Sequence, residues 1–267
     1  MRIKASLAIA LSSFMEAASY RIFFILTMLG NIFYIILIYF LWKAIFNGVS
    51  AQTINGMTFH QTFIYLALAG CISSSLMSWL EWGMSRDVKN GNIALQFIRP
   101  IDYQVYVFSR SLGDIFTNFV IVFIPSFLVV FFISGGEIKL GVNLIIFLIA
   151  FLLAALISLM FDFLIGLISF QTESIWGIST MKDTVIMLLA GAVIPLAFFP
   201  ESIRNVVMWL PFQAIYNLPL KILTEKNYTF ADFGIILLQQ LFWIVILLII
   251  SRLCFKKASK VITINGG

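Results

Sequence analysis

Apolar residues along this chain gather into six long blocks separated by short polar breaks. The blocks run at about 22–42, 60–80, 112–134, 143–169, 184–200 and 231–253. A helix rises about 1.5 Å per residue and a bilayer's hydrocarbon core is about 30 Å thick, so a block of about 20 apolar residues predicts a membrane-crossing helix. The fourth block is long enough to tilt or to run past the membrane. The fifth is short and carries Gly191 and Pro195, which loosen a helix and are tolerated where neighbouring helices re-satisfy the backbone. The pattern predicts an all-α polytopic membrane protein: six transmembrane helices in one transmembrane domain over 1–267.

Three segments depart from the simple oily pattern. In 1–21, Ile3, Leu7, Ala10, Leu11, Phe14 and Ala18 share one side of a helix, while Arg2, Ser6, Ser13, Glu16 and Tyr20 share the other. That predicts a helix lying in the membrane interface, with Arg21 marking the bend into the first span. A basic start and a short apolar run also fit a signal peptide, which would not need two faces. Residues 201–230 hold the apolar, aromatic stretch NVVMWLPFQAIYNLPL, broken by Pro211 and Pro219. It is too short and too interrupted to span. Short re-entrant helices are predicted, the alternative being an interfacial loop anchored by Trp209 and Tyr216.

The third segment is the polar cassette SRDVKNGNIALQFIRPIDY, within the loop 84–110. Gly91 suits a turn that needs positive φ, and Asn90 or Asn92 can cap a helix. IALQFIR then reads as a short amphipathic helix ended by Pro100, because the residue before proline avoids the α region. Such a helix suits a groove on a partner or a lipid surface.

Charge orients the whole. With the N-terminus inside, the cytosolic side holds Arg2, Lys4, Arg21, Arg86, Lys89, Arg99, Arg110, Lys182, Arg252, Lys256, Lys257 and Lys260. The outer side holds Lys43, Lys139, Arg204, Lys221 and Lys226. Twelve against five places both termini in the cytosol and the cassette in the largest cytosolic loop. The composition agrees with a membrane protein: 61% hydrophobic, 11% charged, mean hydropathy +1.04, where soluble domains are about 25% charged. The net charge of +5 sits at block ends rather than along a phosphate track, so nucleic acid is not expected as a partner.

Chemistry in the chain is sparse. Nothing fits G-x-x-x-x-G-K-[ST], H-E-x-x-H or G-x-S-x-G, so neither catalytic residues nor a metal site is expected, and the chain is not read as an enzyme. Cys71 and Cys254 have no metal spacing and are not expected to pair, and the lone His60 reads as structural. Asp114 and Asp162 fall in or near spans, as do Glu16 and Glu81. Each acid either snorkels to the interface or makes a polar contact, Arg110 and Lys182 being the available cations. An intramembrane aspartyl dyad would need matching depth and a flanking motif that are absent.

Taken together, MRIKASLAIALSSFMEAASYR, SRDVKNGNIALQFIRPIDYQVYVFSR and GAVIPLAFFPESIRNVVMWLPFQAIYNLPL resemble, in order and spacing, the permease subunits of type-2 ABC transporters, a mostly exporting bacterial class. The resemblance covers essentially the whole chain. It implies an N-terminal interfacial helix, six spans, a coupling helix between spans two and three, and two short re-entrant helices between spans five and six. It further implies a second permease, identical or related, and separate ABC ATPase subunits that carry ATP and Mg. This chain itself would bind no cofactor. By that resemblance the ATPase-coupling residues are Arg86, Asp87, Gly91, Asn92, Ile93, Leu95, Phe97, Arg99 and Pro100. Asp114, Asp162 and Phe212 are candidates for the substrate pathway. The expected location is the bacterial plasma membrane. A polytopic anchor, sensor or assembly protein is the alternative.

Overall fold

The computed structural model describes residues 2–18, 21–49, 52–136, 138, 140–172, 174–225 and 228–260. Tyr20, Lys139 and Lys226 of the readings above lie outside them, as do the side chains of Arg2, Ile3, Ala18 and Arg21. The chain begins with α1 (Arg2–Ala18) and α2 (Arg21–Val49). A two-residue hairpin follows, β1 (Thr53–Ile54) with β2 (Met57–Thr58), paired Thr53 to Thr58 and Ile54 to Met57. Its turn is Asn55-Gly56, with φ of 49° and 84°, the double positive φ that matches strand twist. Thr58 then caps α3 (Phe59–Leu76): its hydroxyl accepts from Gln61 N–H and the Gln61 side chain accepts from Thr58 N–H.

α3 and α4 (Leu80–Lys89) form one broken span, Phe59–Lys89, interrupted at Met77–Trp79. α5 (Ile93–Ile98) is the short cassette helix. α6 (Tyr103–Asn118) runs through a π-helical turn, Phe119–Phe123, into α7 (Ile124–Ile133), again as one span. α8 (Val142–Ile168) is the long fourth span, and α12 (Phe230–Ala258) the last. Between them lie α9 (Trp176–Leu189), α10 (Glu201–Val207) and α11 (Asn217–Thr224), with 3-10 turns at Leu196–Phe198 and Pro211–Ala214.

Five helices, among the described residues, are long and apolar enough to cross a membrane. The chain is an all-α polytopic membrane protein, but the expected fifth span at 184–200 is not a continuous helix. α9 has 14 residues, about 21 Å of rise, short of a 30 Å core. Gly191 ends it with φ of 80°, and Pro195 is extended before the 3-10 turn. Hydropathy averaged over the block cannot register that reversal. The segment 201–230 does form short helices. Trp209 is 80% exposed, but Tyr216 is buried, so Tyr216 is not a surface anchor.

α3 is the central helix: 72% of its most apolar window is buried, against 22% in α2 and α12. Phe119, Phe123, Phe127 and Phe131 stack in a column with centroid steps of 4.8, 5.5 and 6.4 Å. Phe147 and Phe151 of α8 pack against Phe123. α1 lies along α6 but is rotated from the expected phase. Ser13, assigned to the polar side, is buried, because it faces Gly113 of α6. A Cβ on Gly113 would collide with the Ala10 carbonyl oxygen. Leu7, Leu11 and Met15 are left uncovered, the apolar stripe an interfacial helix would offer to lipid.

Candidate functional site

Two polar constructions stand out against this apolar frame. The first surrounds the break in the second span. Unwinding at Met77–Trp79 frees backbone groups that hydrocarbon cannot satisfy. Asn118 of α6 donates its amide to the Met77 carbonyl at 3.1 Å, and the Ser78 hydroxyl donates to Asp162 Oδ2 at 2.6 Å. Asp162, on α8, also accepts from Lys182 Nζ at 2.6 Å. Lys182, on α9, reaches Glu81 Oε2 at 2.9 Å and Asp183 Oδ1 at 3.0 Å. The Ser179 hydroxyl closes the ring onto Glu81 Oε1.

Glu81, Asp162 and the Lys182 side chain are 3%, 6% and 9% exposed. Charges this deep persist only when paired and hydrogen-bonded, and removal of one partner costs about 3–5 kcal/mol. A cavity of about 440 Å³ opens beside the ring, lined by Ser73, Ser74, Trp79, Trp82 and Tyr216 among others. Broken backbone at membrane depth is tolerated where it lines such a cavity.

Asp162 therefore makes a buried contact with Lys182 instead of snorkelling, and Glu81 does likewise. Lys182, counted among the cytosolic charges, sits within α9 as a buried, ion-paired side chain. Asp114 is separate: it is half-buried, and the charges acting on it are Arg110 and Glu16. The two aspartates share no partner, so they form no dyad. Phe212 stacks on Phe161 of α8, the neighbour of Asp162 in the sequence, at 5.4 Å. The sequence flagged Glu81 and Asp162 as acids in or near spans, with Lys182 as one of two cations they could reach. Ser78 and Ser179 carried no signal, because a serine in an oily run is ordinarily a back-bonded helix residue.

The second construction is the cassette. Asn90 N–H and Gly91 N–H bond back to the Arg86 and Val88 carbonyls at 3.0 and 3.1 Å, and Gly91 takes φ of 70°, where any Cβ would be strained. Of the two expected capping residues, Asn90 is the C-cap of α4, while Asn92 precedes α5 in helical conformation with no side-chain cap. Ile93 is 2% exposed and anchors the turn inward, so it is no part of an outward docking face. Leu95 and Ile98 are 64% and 79% exposed. Phe97 is half-shielded, its ring edge-on to Tyr103 at 5.4 Å and tilted against Phe255 of α12 at 6.2 Å.

Arg99 is extended before Pro100, as the pre-proline rule requires. Its guanidinium lies 4.6 Å over the Tyr106 ring. Gln96 donates to Asp87 at 3.4 Å, tying α5 to α4, and Arg86 is exposed. Asp102 accepts from Val105 N–H to start α6 and grips Arg252 of α12 through both oxygens at 2.8 and 2.7 Å. Below it, Gln104 donates to Ser251 at 2.8 Å. The cassette is thus fastened to α4, α6 and α12 while presenting Leu95 and Ile98 outward.

His60 faces the Ser134 carbonyl at 3.3 Å, and Cys71 and Cys254 are separate free thiols. No curated protein and no solved structure matches the chain. A family model described as "ABC-2 family transporter protein" does match, over residues 32–266, which takes in the broken span, the cassette, the ion ring and the short helices before α12. The chain belongs to the ABC-2 family of transporter proteins, as a type-2 ABC transporter permease.

Proposed function

We propose that this permease is the membrane half of an ATP-driven exporter in a bacterial plasma membrane, with both termini in the cytosol. It pairs with a second permease, identical or related, and with separate ATPase subunits that bind ATP and Mg. The observation that carries the reading is α5, a short helix with exposed apolar residues whose base is bolted to three spans. A partner that grips Leu95 and Ile98 would pull on α4, α6 and α12, the last in part through an exposed ion pair that can give. ATP binding then shifts the permease only through a free-energy difference between its two states. Arg99 and Arg86 offer charges to acids on the ATPase, while Gly91 and Pro100 set the elbow. The cavity beside Asp162 is the best-supported stretch of substrate path. Asp114 and Phe212 are assigned to the same path.

The test is capture of the co-encoded ATPase by the tagged permease. Ile98→Asp, Leu95→Asp and Phe97→Asp are each expected to abolish capture while membrane insertion stays intact. Normal capture by all three sinks the docking assignment and favours a polytopic anchor or sensor.

A further inference from the structure

At the opposite end of the broken span from the cassette, the hairpin, α3, α10 and α11 enclose a second cavity of about 360 Å³. Arg204 of α10 and Lys221 of α11 both line it. Among the described residues neither enters an ion pair. Glu225 is the only acid on its wall, and it is exposed. The cavity therefore gathers two part-buried cations from two elements and leaves at least one positive charge without a counter-charge. Burial depresses the Lys221 ammonium below its ordinary value. Glu225 acts in the opposite sense and Arg204 reinforces the depression, so the two cations feel each other across the cavity.

The remaining wall is suited to an anion's oxygens. Gln61 spends its side-chain oxygen on Thr58 N–H, so what it can give a ligand is its N–H₂ donor. Asn217 is held on both sides: the Tyr65 hydroxyl donates to its Oδ1 at 3.3 Å, and its own amide donates to Gln213 Oε1 at 3.1 Å, which leaves one amide hydrogen uncommitted. The walls are braced as well: the Asn55-Gly56 turn is fixed by its backbone, and Pro195 by its ring. An arginine fork beside a lysine point charge is the usual protein grip on a phosphate. The volume admits more than a bare ion and lies in the range of small-ligand sites.

We propose that this cavity binds a phosphate-bearing anion, held between Arg204 and Lys221 and clasping α10 and α11 to the hairpin end of α3. The phosphate comes either from an anionic lipid headgroup or from a water-soluble phosphate ester. The site does not depend on ATPase coupling.

The experiment uses the full chain, purified and delipidated in a neutral detergent. Binding is read by native mass spectrometry, with thermal unfolding in parallel because a ligand that binds only the folded state raises Tm. The probes are phosphatidylglycerol in mixed micelles, glycerol phosphate, inorganic phosphate and phosphatidylcholine. Phosphatidylglycerol or glycerol phosphate is expected to bind at least tenfold more tightly than phosphatidylcholine. Arg204→Gln with Lys221→Gln is expected to erase that margin, and Arg204→Lys with Lys221→Arg to keep it within about threefold. Equal binding of glycerol phosphate and phosphatidylglycerol assigns the site to a soluble ester, and binding of the lipid alone assigns it to a headgroup. Should the glutamine pair fail to fold, Glu225→Gln serves instead: it removes the opposing charge and is expected to tighten anion binding about threefold. Equal affinity for charged and zwitterionic probes, or no response to Glu225→Gln, overturns the proposal.

Discussion

Lys182 and Arg252 each join elements distant in the sequence through carboxylates, in opposite surroundings. The Lys182 side chain is 9% exposed and has three acidic partners, two of them buried. Arg252 and Asp102 are each 41% exposed. In the first case the groups are buried and held by several bonds at once, so the ring fixes the mutual positions of α4, α8 and α9. In the second, water is always available, so the pair can part and reform at little cost while α6 and α12 shift. The permease is rigid where its helices are broken and compliant where force is proposed to enter.

The sharpest way to break that contrast is Lys182→Met, which strands two buried carboxylates. It is expected to cost about 3–5 kcal/mol and to be read as a large drop in unfolding temperature in detergent. Adding Glu81→Gln and Asp162→Asn should recover most of that loss, because neutral amides need no counter-ion. A Lys182→Met protein as stable as wild type would mean that water reaches the ring freely. Ser78→Ala removes one hydrogen bond to a charged group and is expected to cost about 1.5–3 kcal/mol by the same assay.

On the compliant side, Asp102→Ala loses both the Arg252 contact and the cap on Val105 N–H, for about 1–2 kcal/mol. Arg252→Ala loses only the exposed pair, for less than about 1 kcal/mol, and molar salt should mask even that. If Arg252→Ala proves as damaging as Lys182→Met, the two ends do not differ as described.

What the sequence disclosed follows the same division. The cassette was legible because Gly91 and Pro100 punctuate a short apolar run, and their φ preferences act locally. The short helices after Pro195 were legible for the same reason. The break in the fifth block is not legible because hydropathy counts methyl groups and is blind to the reversal at Gly191. Lys182 reads both as a cytosolic flank and as a cation that Glu81 and Asp162 could reach, and nothing nearby in the sequence chooses between the two readings. Those contacts reach across 101 and 20 residues. Ser13 went to the polar side of α1 because phase analysis ranks polarity and cannot know that Gly113 leaves a hollow for it. Local conformational rules were readable, whereas partnerships made by packing were not.

That hollow has a mechanical consequence. Because Gly113 lets the backbone of α1 sit directly on α6, the two helices form a yoke, and α6 begins at the elbow that follows α5. In the proposed coupling, thrust delivered to the elbow would pass into α1 through this contact, along a helix whose Leu7 and Leu11 side chains are exposed. The N-terminal helix would act in that coupling as an outrigger, taking sideways load while the spans it braces tilt.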